Sequence, residues 1–226
     1  MIREGSPSSR QMVVTRLDLG RKYEEIGAHR LRTFVDILDT LKPETKTLVD
    51  LGAGHCKFSA LAAKRGYDVT AVDGRTVRLP ADMGSVRFVE SDVRSYDPAG
   101  FGVIANLGLF YHLELEAQKD LLGRCTYGAP VILETQVHVP EILEPHESRP
   151  WHAIVQQDGY EGVLFPETDN PMASIGNPTS FWHTEDSMLR LFADCGFREV
   201  QLVEPLFRSG YGARRFYVLF PNKRQA

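Results

Sequence analysis

The chain has 226 residues, of which 42% are hydrophobic and 25% charged, the makeup of one large globular domain or a domain with an insert. A net charge of −4 disfavours a general nucleic-acid binder, and three scattered cysteines (Cys56, Cys125, Cys195) exclude a disulfide framework or a C-x-x-C zinc site. No apolar run approaches the roughly 18 residues that span a membrane and no signal-peptide segment opens the chain, so a cytoplasmic protein without a membrane partner is expected, compatible with a homo-oligomer.

Residues 1–20 are polar at the start, with Gly5, Pro7 and several serines, and read as a flexible arm before a domain spanning 21–226. From Arg21 to Leu41, apolar residues at Ile26, Leu31, Phe34, Ile37, Leu38 and Leu41 follow helical spacing, and Pro43 lies beyond the end. Thr47–Leu51 reads as a buried strand, Lys57–Arg65 as a helix stopped by Gly66, and Asp68–Val72 as a second strand. Val86–Glu90 and Gly102–Asn106 are two further strands, Leu115–Arg124 is a helix and Pro130–Glu134 a fifth strand. Residues 137–183, rich in proline and aromatic side chains, read as an irregular insert that binds the acceptor. Thr184–Cys195 is a helix with Thr184 as N-cap and a stripe of Met188, Leu191, Phe192 and Cys195. Glu199–Val203 and Arg215–Phe220 read as an antiparallel pair at a sheet edge. The alternation of strands and helices predicts an α/β fold, a doubly wound sheet with helices on both faces.

The most informative stretch is Asp50-Leu-Gly-Ala-Gly-His-Cys56, with Asp73 closing the next strand. Gly52 and Gly54 permit a tight turn close to a ligand, and the following helix presents its free N–H groups there. A carboxylate at Asp73 can accept both hydroxyls of a ribose. The run is not the dinucleotide G-x-G-x-x-G, because Lys57 holds the last position; it resembles the first motif of the class I S-adenosylmethionine (SAM)-dependent methyltransferases, with Cys56 in place of their third glycine. That resemblance implies SAM as cofactor and a three-layer, seven-stranded, mostly parallel sheet whose last strand is antiparallel. It also implies that Asp50, Gly52, Ala53 and Gly54 face the methionine end, that Asp73 and Gly74 take the ribose, that Asp92 and Val93 take the adenine, and that Asn106 and Leu107 lie near the sulfonium. Three segments, Gly108–Leu113, Leu133–Val137 and Phe181–His183, are similar to a narrower subgroup that contains the tRNA wobble-uridine carboxymethyltransferases.

Transfer to a hydroxyl benefits from a base near neutral pKa. His112, after the fourth strand, His183, before the last long helix, and Glu134, ending the fifth strand, are the candidates, with His138 and His152 behind them. Tyr111, His138, Trp151, Tyr160 and Trp182 are candidates for binding a small acceptor, since flat aromatic faces pack on sugars and rings. Glu134, His138, Glu141 and Glu144 carry metal-ligand chemistry but match no metal-site spacing, and no metal is expected. The expected reaction is SAM-dependent O-methylation of a small hydroxylated metabolite such as a saccharide. The alternatives are alkylation of RNA and SAM binding without catalysis.

Overall fold

The computed structural model describes residues 11–20, 25–139, 153–167 and 174–221. In chain order its first elements are β1 (Val13–Asp18), α1 (Ile26–Thr40), β2 (Thr47–Leu51), α2 (Lys57–Ala63), β3 (Asp68–Asp73), β4 (Arg87–Glu90) and β5 (Val103–Leu107). A short 3₁₀ turn (Phe110–His112), α3 (Leu115–Arg124) and β6 (Val131–Val137) follow. The chain continues through β7 (Val155–Gln157), β8 (Tyr160–Pro166), β9 (Thr179–His183) and α4 (Glu185–Asp194), and ends with β10 (Phe197–Glu204), β11 (Phe207–Ser209) and β12 (Gly212–Pro221).

The central sheet runs β1-β10-β12-β6-β5-β2-β3-β4, with β11 paired to β12. The pairs from β6 through β5, β2 and β3 to β4 are parallel. β12 is antiparallel to both of its neighbours, β6 and β10. The seven strands expected from sequence form the order β4-β3-β2-β5-β6-β12-β10, and the sheet exceeds that number with β1 and β11. Within the stretch 1–20 read as an arm, Val13–Asp18 is corrected to a strand, β1, which lies parallel to β10 along its whole length. Its side chains are mostly exposed, so its sequence lacks the apolar content that marks inner strands.

Burial on both faces explains the runs of β-branched and aliphatic residues. Side chains alternate across a strand. Val49, Ile104, Val131, Leu133, Tyr217 and Leu219 pack with α3 and α4 residues such as Leu121, Leu122, Leu191 and Phe192. Leu48, Val103, Ala105, Ile132, Phe216 and Val218 pack on the other face with Phe34, Ile37 and Leu38 of α1 and Phe58 and Ala62 of α2.

The insert is more regular than its composition suggests. β7, β8 and β9 form a separate antiparallel sheet, and a bridge from His138 to Thr184 joins its end to the end of β6. β8 and β9 are short and flanked by prolines, which in sequence read as loop signals. Among the described residues, no helix is long and apolar enough to cross a membrane, and no group of three His, Cys, Asp or Glu side chains could hold a metal.

Candidate active site

The loops after β2, β3, β4 and β5 meet at one cleft beyond the carboxyl ends of the strands, where open α/β sheets bind ligands. Gly52, Asp73, Gly74, Asp92, Val93 and His112 line it, together with Gly108 and Leu109, and Ser174, Ile175 and Asn177 close it from the insert side.

The glycine turn is built by backbone geometry. Gly52 and Gly54 have φ of +76° and +50°. A Cβ on Gly52 would lie 2.7 Å from Leu109 Cβ, so only glycine lets the two loops meet. Gly52 and Ala53 donate their N–H groups to Val72 O, which ties the turn to β3. Cys56 also has positive φ (+53°), in the left-handed region at the start of α2. The third glycine of the motif thus matches a conformational demand as well as close packing, and Cys56 meets it at a cost of about 1 kcal/mol. Burial pushes the Cys56 thiol up to about 11, so it stays protonated.

Asp50 is buried and accepts a hydrogen bond from Ser59 Oγ at 2.6 Å. Burial raises its carboxyl to about 6. Its contact is with α2, joining β2 to the helix, and not with the cleft. Asp73 stands in the cleft wall. Its Oδ2 accepts from Gly54 N at 2.9 Å and its Oδ1 from Arg75 N at 2.9 Å, which fixes the carboxylate while leaving lone pairs open. Asp92 is held by Arg94, whose Nη2 and Nε lie 2.6 and 2.9 Å from Oδ2. The Arg94 hydrogen bonds hold the Asp92 carboxyl below its usual value. Asp92 Oδ1 also accepts from Arg94 N, at 2.9 Å, so Arg94 holds both oxygens. Asn106 and Leu107 are buried and do not line the cleft; Gly108 and Leu109 do.

The three candidate bases separate clearly. His112 lines the cleft, and its Nδ1 lies 3.0 Å from Glu167 Oε1. Glu167 is buried, and it also accepts from Ser180 Oγ at 2.7 Å and from Ser174 N at 3.3 Å. A carboxylate accepts only, so Nδ1 is the donor to Glu167, and Nε2 is the ring nitrogen not used in that contact.

His183 is fully buried and away from the cleft. Its Nε2 lies 2.9 Å from Gln118 Oε1 and its Nδ1 2.9 Å from Ser187 Oγ. Gln118 Nε2 is directed at the carbonyls of Phe110, Leu113 and Phe181, which fixes the amide orientation and hence the Nε2–H tautomer of His183. Burial lowers the His183 pKa to about 3, and both nitrogens are used. The expectation of a base at His183 is overturned; it is a neutral tie between β9, α3 and α4.

Glu134 is corrected as well. Arg30 Nη2 and Arg214 Nη2 each donate to its Oε2 at 2.7 Å, and Arg214 Nε also pairs with Oε1. Burial raises the carboxyl, but Arg214 and Arg30 outweigh it and hold it below its ordinary value. A carboxylate so clamped is a fixed anion and not a proton acceptor.

The candidate acceptor residues divide too. The Tyr111 ring lies 4.3 Å from the His112 ring, with the Arg214 guanidinium 4.7 Å from its centre. Trp182 is buried beneath it: its Nε1 donates to Tyr111 O at 2.7 Å and its ring stacks on Phe165 at 4.2 Å. Trp182 therefore packs under Tyr111 and does not line the cleft. Tyr160 points toward α4, where its hydroxyl lies 2.8 Å from Asp194 Oδ2, and it takes no part in the cleft. His138 follows β6, with its N–H on His183 O. Trp151, His152, Glu141 and Glu144 lie outside the described residues.

Glu167, Arg30 and Arg214 were not singled out by sequence. Arg30 and Arg214 did leave a signal. Half-buried Arg30 falls at helical spacing from Phe34 and Ile37 of α1, and Arg214 shares the inward face of β12 with Phe216 and Val218.

This chain is similar to the N-terminal domain of EvdMO1 with SAH bound, at 20% identity over 88% of this chain and 82% of that one, with a TM-score of 0.62. A second structure of that domain, in the presence of SAH and D-fucose, gives a TM-score of 0.60 at 17% identity, over 89% of this chain and 85% of that one. The 1,6-didemethyltoxoflavin-N1-methyltransferase of Burkholderia thailandensis, with its acceptor and S-adenosylhomocysteine (SAH) bound, matches at 19% identity over 86% of this chain and 78% of that one, with a TM-score of 0.56. The fold is the class I methyltransferase fold. No protein-family model and no curated protein matches the sequence.

Proposed function

We propose that this protein is a SAM-dependent methyltransferase that O-methylates a small hydroxylated metabolite, a saccharide being the favoured class. The observation that carries the reading is the meeting, in one cleft, of the glycine turn at Gly52, the carboxylates Asp73 and Asp92, and His112 with its Nδ1 fixed by Glu167. The residues fit the cofactor. Asp73 presents a carboxylate for the ribose hydroxyls, Asp92 and Val93 would take the adenine, and Gly52 lies in the wall of the same cleft. When bound, SAM supplies a methyl group on a sulfonium that leaves as a neutral thioether.

The chain's own contribution is then orientation and proton transfer. Holding acceptor and donor in line supplies much of the rate. His112 Nε2 takes the hydroxyl proton as the oxygen attacks, and Glu167 stabilises the imidazolium that results. Tyr111 does not line the cleft; packed beside His112 and beneath the Arg214 guanidinium, it would steady the His112 ring. The EvdMO1 neighbour studied with D-fucose supports the saccharide class, and the Burkholderia neighbour keeps a nitrogen acceptor in view.

The RNA reading rests on segments in which Glu134 and His183 have buried structural roles, and a net charge of −4 gives it no electrostatic help. Calorimetry with SAM tests the cofactor half. The native protein binds and Asp73→Ala loses about tenfold or more, the scale of a charge-assisted hydrogen bond. No binding by the native protein at millimolar SAM would refute the reading.

A further inference from the structure

The Glu167 carboxylate serves two partners that both line the cleft. It receives His112 Nδ1, at 3.0 Å. It also receives the N–H of Ser174, at 3.3 Å, which lines the cleft with Ile175 and Asn177. The segment 174–177 is fastened at further points. Arg75 Nη2 donates to Ser174 O at 2.8 Å, and Asn177 Nδ2 donates to His112 O at 3.1 Å. Arg75 in turn gives its N–H to Asp73 Oδ1 at 2.9 Å. Ile175, between these anchors, stands over Gly74: a Cβ on Gly74 would lie 2.7 Å from Ile175 Cδ1.

We propose that Glu167 is a positioning residue that couples occupation of the nucleoside cleft to the setting of His112. The inference rests on the function proposed above. A ribose held by Asp73 would lie next to Gly74 and meet Ile175. That contact is made only while the segment 174–177 stands against the cleft, so the nucleoside stabilises the arrangement in which Ser174 and Asn177 hold Glu167 and the His112 backbone. The ligand then binds one arrangement better than others, which is the condition for shifting an equilibrium. By linkage the effect is reciprocal: loosening Glu167 must weaken nucleoside binding, although Glu167 does not line the cleft. The consequence is a binding order in which the cofactor sets the base before the acceptor is engaged.

SAH is the probe, because it needs no acceptor. Two measurements are made on the full chain: calorimetric affinity for SAH, and long-range nitrogen–proton NMR of the histidine rings, with His112 identified by the signal lost in His112→Gln. The native protein should bind SAH with a shift of the His112 ring signals. Glu167→Gln should weaken SAH by about fivefold or more, the lower end of usual coupling between sites. Glu167→Asp should recover part of the loss. Ile175 is 41% exposed and not part of the core, so Ile175→Ala keeps the test alive if Glu167→Gln folds poorly. In Ile175→Ala, SAH should bind more weakly and the His112 signals should no longer respond. Native affinity in Glu167→Gln, or SAH binding that leaves His112 unmoved in the native protein, would overturn the proposal. Failure of the native protein to bind SAH at all would instead overturn the proposed function.

Discussion

Replacing Glu134 by glutamine separates a structural from a catalytic role for the residue that sequence offered as a base. Its carboxylate is fully buried, with the Arg30 and Arg214 side chains only 23% and 8% exposed. Glutamine keeps the shape and removes the charge, leaving two guanidiniums that face one another. Breaking a buried pair by removing one partner costs about 3–5 kcal/mol. The partial exposure of Arg30 lets water relieve one of the two cations, so about 3 kcal/mol is expected. For a chain of this size that lowers the melting temperature by roughly 6–12 °C. The sign with pH follows from the lowered carboxyl: the stabilisation is present above the ordinary value of 4.5 and is lost as pH falls below it. Thermal or urea unfolding of native protein and Glu134→Gln at pH 7 and pH 4 gives the comparison. The difference should shrink at the lower pH. A variant as stable as the native protein at pH 7, yet without turnover, would refute the structural reading and return Glu134 to the role of base.

Three further predictions follow from the same geometry. His183→Gln should weaken the acid destabilisation of the fold, because a histidine held neutral with a pKa near 3 contributes stability above its ordinary 6.5 that is lost as pH falls toward 3; melting temperatures between pH 7 and pH 4 test this, and parallel curves for the two proteins would contradict it. At Cys56, the glycine variant should be at least as stable as the alanine variant despite its smaller side chain, since φ is +53° there; a clear advantage for Cys56→Ala in unfolding would show that no strain is stored at the turn. His112→Ala should abolish methyl transfer while costing SAH no more affinity than Glu167→Gln does; a loss of SAH binding as large as the loss of transfer would place His112 in cofactor binding instead.

The parts of the fold that sequence made legible are those whose burial is two-sided. β2, β3, β5, β6 and β12 carry continuous apolar runs because helices cover both faces, and Leu115–Arg124 shows its helical stripe. β1 escaped notice because an edge strand needs only backbone pairing with β10, and its exposed side chains leave no apolar pattern. The sheet β7-β8-β9 was hidden by flanking prolines.

In the site, Gly52, Asp73 and Asp92 were legible because each sits in a fixed relation to a strand end. The partners of His112 and Glu134 were not. Glu167 is 55 positions from His112, and Arg30 and Arg214 are 104 and 80 positions from Glu134. Nothing local encodes such pairs. The available cue was a charge in an inward register, as at Arg30, Glu134 and Arg214, which implies a buried partner of opposite sign.

The most direct test of the central claim is transfer of label. The protein is incubated with methyl-labelled SAM and a fractionated extract, and labelled products are identified by mass spectrometry, with His112→Ala alongside. The account predicts label on a hydroxyl of a small metabolite, in the saccharide fraction first, and none with the variant. Label confined to RNA, or transfer by His112→Ala at the native rate, would contradict it.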